Sequence, residues 1–178
     1  MSNAARTVTS VDSSYLVEVR DTENSPYRTR FITLDNLLKD RILYAEVTLT
    51  AAEIVGTAAG DIGATAGAPL VAAQTGKILE FVSAVLIYDF DTAAYTGGGD
   101  DVVIRQGTTA VSAPIAKADL LADTEDDIAY VNALAAADIK LTAGSTLNIY
   151  AGTAYTQPGT AAGVLRCKVA YRVHTSGL

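Results

Sequence analysis

Apolar and polar positions alternate with a period of two along several stretches of the chain, the mark of strands with one buried face. The alternation is cleanest over Val164 to His174. Leu165, Cys167, Val169, Tyr171 and Val173 fall on one face there, and Arg166, Lys168, Arg172 and His174 on the other. Leu43, Ala45, Val47 and Leu49 alternate in the same way with Tyr44, Glu46 and Thr48. Ile78 to Phe90 is instead a nearly continuous apolar run rich in β-formers, which predicts a buried central strand. Val102 to Gln106 and Thr146 to Tyr150 predict two shorter strands. Thr50-Ala51-Ala52-Glu53 has the spacing of a capping box and predicts one helical turn. Ala116 to Leu121 and Asn132 to Ile139 predict short helices within the connections. Short strands divided by Gly, Pro and Thr turns predict an all-β fold, a jelly-roll-like β-sandwich. A parallel α/β sheet would need regular helices between its strands, and the pattern lacks them.

The leading segment has a different texture. Tyr15, Val17 and Val19 alternate with Leu16, Glu18 and Arg20; turn formers fill Asp21 to Pro26; and Tyr27, Thr29 and Phe31 alternate with Arg28, Arg30 and Ile32. This predicts a hairpin. Thr33 can cap a helix from Leu34 to Asp40 whose apolar stripe is Leu34, Leu37 and Leu38. A hairpin with two helical turns buries too little to stand alone, so it must pack on the following domain or on a partner.

Charge divides the chain at the same place. Residues 1–42 carry six basic side chains (Arg6, Arg20, Arg28, Arg30, Lys39, Arg41) and six acidic ones, so the whole net charge of −7 lies in residues 43–178. The expected organisation is an N-terminal hairpin and helix attachment segment, 1–42, followed by a β-sandwich domain, 43–178. Arg28 and Arg30, on one strand face, are candidate contact residues of that segment, with Glu18 on the paired strand as an internal match.

Composition narrows the function. One His and one Cys in 178 residues exclude a Cys- or His-rich zinc site and any disulfide within the chain. The acidic balance argues against nucleic acid as a partner, because phosphate contacts need clustered Lys and Arg. The longest apolar run is too short to span a bilayer as a helix and contains Glu80, so no membrane partner is expected. No basic stretch followed by an apolar segment opens the chain, so no secretion signal is expected. An apolar fraction of 49% with only 19% charged residues predicts surface that is covered in the working state. A homo-oligomer is expected, a trimer ahead of a dimer.

The chemical motifs break on inspection. Asp89, Asp91 and Asp100 fit three positions of a calcium loop, but Ala94 stands where the loop requires Gly. Gly97-Gly98-Gly99 leads into a strand and is followed by Asp100 and Asp101, which would repel a phosphate. Asp123, Glu125, Asp126 and Asp127 read as a hydrated turn, and His174 as a solvated side chain. No catalytic residue, metal ligand or cofactor site is expected, and the chain does not read as an enzyme. One internal echo stands out: Thr92-Ala93-Ala94-Tyr95-Thr96 and Thr153-Ala154-Tyr155-Thr156 each follow a strand and lead into another. They read either as two ordinary hairpin loops or as a contact surface carrying Tyr95 and Tyr155, since Tyr supplies large area at low entropy cost.

These residues carry a resemblance. Leu49-Thr50-Ala51-Ala52-Glu53-Ile54, Gly76-Lys77-Ile78, Thr92-Ala93-Ala94-Tyr95-Thr96-Gly97-Gly98-Gly99-Asp100 and the closing Val169-Ala170-Tyr171-Arg172-Val173 resemble small structural proteins of tailed bacteriophages. Phe31-Ile32-Thr33-Leu34-Asp35-Asn36-Leu37-Leu38 after a hairpin is similar to N-terminal segments of phage virion proteins. The resemblance covers most of the chain and rests on short motifs of common residues. It implies a virion structural protein, foremost a capsid decoration (cement) protein that bridges capsid subunits. A head or tail fibre or receptor-binding component is the alternative. It also implies the major capsid protein as partner, the capsid surface as location and synthesis in the bacterial host cytoplasm. It carries over no catalytic or ligand residue.

Overall fold

The computed structural model describes residues 41–97, 101–135, 139–156 and 163–175, together with the backbone of two strands at 16–20 and 29–33. The chain divides into two compact units, Met1–Arg41 and Ile42–Leu178. In the first, β1 (Leu16–Arg20) pairs antiparallel with β2 (Thr29–Thr33). The register sets Glu18 opposite Phe31 and Arg30 opposite Val19. Positions 18 and 30 therefore fall on opposite faces of the ribbon, which corrects the expected Glu18 match for Arg30. Arg28 and the expected helix 34–40 lie outside the described residues.

Among its described residues the second unit contains eight strands: β3 (Leu43–Leu49), β4 (Ala68–Val71), β5 (Lys77–Asp89), β6 (Val103–Gln106), β7 (Thr109–Ala110), β8 (Asp127–Asn132), β9 (Leu147–Tyr150) and β10 (Val164–Thr175). They form two antiparallel sheets, ordered β3-β10-β5-β8 and β4-β9-β6-β7. Counted from the first strand of this unit, those orders are 1-8-3-6 and 2-7-4-5. First pairs with last, second with seventh, third with sixth and fourth with fifth, as in a long hairpin rolled up on itself. That is the topology of a jelly roll.

One hydrophobic core lies between the sheets. β3 points Leu43, Ala45, Val47 and Leu49 inward, and β10 contributes Leu165, Cys167 and Val169. In β5 the buried positions change parity, from Leu79 and Phe81 to Ala84, Leu86 and Tyr88. The pairing with β10 explains why: Ala170 sits opposite Ser83 but Tyr171 opposite Phe81, so Val82 is the extra residue of a bulge. A bulge shifts the inward set by one position. The continuous apolar run therefore has one fully buried face and one half-buried face, not two buried ones.

Between β3 and β4, Thr50 caps α1 (Ala51–Val55). Its hydroxyl accepts from the Glu53 amide at 3.4 Å, while the Glu53 carboxylate accepts from the Thr50 amide at 2.7 Å. This reciprocal box satisfies free N–H groups and lets a single turn deliver Ile54 into the core. The helix expected over 116–121 is a 3-10 turn, Lys117–Asp119. That expected from Asn132 is contradicted: Asn132 closes β8, and residues 133–135 are not helical. β8 was hidden because its larger side chains, Ile128 and Tyr130, face outward while Ala129 and Val131 face the core, leaving no polar face to read. No helix among the described residues is long and apolar enough to cross a membrane.

Candidate functional site

The echoed loops meet. Thr96 and Thr156 form an antiparallel bridge, the Thr96 amide donating to the Thr156 carbonyl at 2.9 Å and the Thr156 amide donating back at 2.6 Å. Beneath it Tyr95 lies edge-on to Tyr155, ring centroids 6.4 Å apart, and tilted against Tyr88 at 6.2 Å. Tyr88 in turn meets Phe90 edge-on at 6.3 Å. The Tyr95 hydroxyl donates to the Gly163 carbonyl at 2.6 Å, at the start of β10. Burial pushes this phenol up to about 12, with Tyr88 adding to the shift. Tyr95 and Tyr155 are only 1% and 3% exposed, so the expectation that they touch a partner is corrected. Their rings give the loops an apolar interior and clasp the end of the sandwich.

The acidic loop is occupied locally. Asp126 accepts from the Phe90 amide at 2.9 Å, Asp123 from the Thr124 amide at 2.6 Å and Asp127 from the Ile128 amide at 2.7 Å. Asp123 and Asp127 bond the amide of the next residue, while Asp126 reaches across to the end of β5. Of the calcium-loop candidates, Asp100 lies outside the described residues. No group of three or more His, Cys, Asp or Glu among the described residues could hold a metal ion. Cys167 is buried and its thiol is pushed up to about 12 by burial, so it behaves as a small apolar side chain. His174 departs from the solvated reading: its Nε2 lies 2.6 Å from Glu80, whose other oxygen takes Arg172 at 3.1 Å.

The surface that stands out is the outer face of the β3-β10-β5-β8 sheet, which the sequence reading missed. Its register aligns Tyr44, Ala170, Ser83 and Asn132 across the four strands, and Glu46, Lys168, Val85 and Tyr130 in the next row. Tyr44 on β3 and Tyr130 on β8 are 79% and 76% exposed, and Ile128 beside the latter is 51% exposed. The floor beside Tyr44 is low because Ala170 and Ser83 are small. It forms a trough of about 380 Å³ lined by Tyr44, Ala45, Glu46, Ser83, Ala84, Val85, Lys168 and Ala170. Both acidic groups on this face have a cation beside them, Lys168 with Glu46 at 3.9 Å and Arg172 with Glu80 at 3.1 Å, and Arg166 is a further exposed cation in the next row.

The other sheet treats an aromatic ring differently. On β6 and β9 the Arg105 guanidinium lies 3.2 Å from the centroid of Tyr150, covering that ring with the protein's own cation. Bare large rings therefore belong to one face of the sandwich. Arg30 is described only as a backbone position in β2. No protein-family model, no curated protein and no solved structure matches the chain.

Proposed function

We propose that this protein is a structural component of a tailed-bacteriophage virion, a capsid decoration (cement) protein that bridges neighbouring capsid subunits. The observation that carries the reading is the broad sheet face with exposed Tyr44, Tyr130 and Ile128 on a rigid jelly roll. Rigid exposed aromatics are contact chemistry: they supply large area at low entropy cost and exclude water when covered. Jelly rolls serve capsid proteins, lectins and cupins alike, so the fold supports the reading without choosing it. The burial of Tyr95 and Tyr155 takes away the loop rings on which the receptor-binding alternative drew.

The mechanism is linkage. A protein that binds only the assembled shell stabilises it by mass action, with apolar burial at subunit junctions as the driving force. Many copies acting together make modest contacts sufficient. Residues 1–42, carrying no net charge, provide attachment, while the acidic domain outside that sheet face meets solvent and keeps particles apart. Adding the purified protein to particles stripped of it should restore their resistance to heat. Stripped particles that are equally heat-stable but no longer adsorb to host cells would replace this reading with the receptor-binding one.

A further inference from the structure

We infer that the outer face of the β3-β10-β5-β8 sheet is a self-association surface, and that its occupant is a second copy of the chain related by a two-fold axis. The inference rests on the cement reading and places this face between neighbouring copies, each attached to the shell by residues 1–42, so that contact between copies does the bridging. The two fail separately, because association is measured on the free protein and cement action on particles.

Three features of the face point to a second copy. The first is shape. An isologous interface must present both a projection and the recess that receives it on one patch. Here Tyr44 and Tyr130 project from the two edge strands, and the trough floored by Ala170 and Ser83 lies beside Tyr44. The two rings stand three strand spacings apart across the sheet, roughly 14 Å, and one row apart along the strands, roughly 7 Å. A second face turned over a two-fold axis that runs along the strands lays its β8 edge, with Tyr130, against the β3 edge beside the first trough, and symmetry gives the same contact in return.

The second feature is charge. Residues 43–178 carry the full −7, so most approaches between two copies bring like charges together. On this face Glu46 and Glu80 are each matched by a neighbouring cation, Lys168 and Arg172. Copies meeting here escape that repulsion, and exposed pairs can exchange partners across the interface at little cost.

The third is area. Four strands of these lengths make roughly 600 Å² of flat sheet, taking about 4.8 Å between strands and about 3.3 Å per residue. A standard interface buries roughly 800 Å² on each side. The corrugated surface of the sheet, with two projecting rings, comes close to that requirement with no other element.

The test uses the full chain in solution, with mass measured by sedimentation equilibrium across micromolar concentrations. A dimer is expected. Tyr130→Glu and Tyr44→Glu should each raise the dissociation constant roughly thirtyfold or more, as for central aromatic anchors. Because both side chains are largely exposed, the variants should keep the far-ultraviolet spectrum and melting temperature of the separated wild-type monomer. A wild-type monomer at high micromolar concentration would overturn the inference, as would an oligomer whose mass neither substitution changes. A trimer would overturn the two-fold arrangement. A monomer in which Tyr44 and Tyr130 resist a phenol-modifying reagent would also overturn it, since the chain's own segment would then cover the face.

Discussion

Two pairs of tyrosines divide the labour of this domain. Tyr95 and Tyr155 sit on Gly- and Thr-rich loops, where a contact role is the natural expectation, and the fold buries both. Tyr44 and Tyr130 sit within strands of the sandwich, and both stand in solvent. The difference teaches that element type does not set exposure. On a strand, parity sets it: Tyr44 shares its face with Glu46, and Tyr130 shares its face with Ile128. In the loops, a partner loop sets it. The Thr96–Thr156 bridge folds two copies of one short motif over each other, and their rings fill the space beneath.

The contrast breaks most sharply under truncation. Tyr95→Ala empties a packed site and should cost about 3–5 kcal/mol, whereas Tyr44→Ala, measured at concentrations where the chain is dissociated, should stay within about 0.5 kcal/mol. Chemical denaturation of the two variants measures both. Similar losses at the two positions would dissolve the division. The clasp also leans on its neighbours. A Cβ at Gly163 would lie 2.7 Å from the Tyr88 ring and 2.9 Å from the Asp89 carbonyl. Gly163→Ala should therefore cost about 1–3 kcal/mol, as overpacking does, and should raise the exchange rate of the Thr96 amide.

Alkali sharpens the comparison on the buried side. Tyr95 and Cys167 have folded-state values near 12 against ordinary values of 10.0 and 9.0. A raised folded pKa means that the unfolded chain loses its proton first. Each group's contribution is intact below the ordinary value and is lost as the pH climbs toward the folded one. Stability should fall above pH 9 for Cys167 and above pH 10 for Tyr95, by up to about 1.4 kcal/mol per pH unit for each group. Denaturation midpoints across that range test it, and Cys167→Ala should remove the part that begins near pH 9. The smallest expected effect separates two buried hydroxyls. Tyr95→Phe loses the bond to the Gly163 carbonyl and should cost about 1 kcal/mol. The Tyr88 hydroxyl is buried with no partner among the described residues, so Tyr88→Phe should be neutral or slightly stabilising.

Much of the fold was legible locally. Strands β3, β9 and β10 and the capping box of α1 announce themselves through alternation and spacing, because each interaction joins residues close in sequence or facing one side. β7, with two residues, carries no period, and Pro69 disguises β4, since proline is rare inside strands. β8 was missed because its outward residues are apolar, which itself marks the exposed face. The bulge at Val82 was invisible for a related reason: a parity change inside an unbroken apolar run leaves no polar marker.

The sequence by itself determined the fold class, the division of charge near residue 42 and the inward faces of the regular strands, since burial of apolar area acts on each strand as a unit. Only the tertiary structure decided the rolled-hairpin order of the sheets, the meeting of the two loops and the surface left bare. Those depend on pairs such as Thr96 with Thr156 and Tyr44 with Ala170, which lie far apart in the chain. A local pattern records which face of a strand is apolar; it does not record which strand will lie beside it.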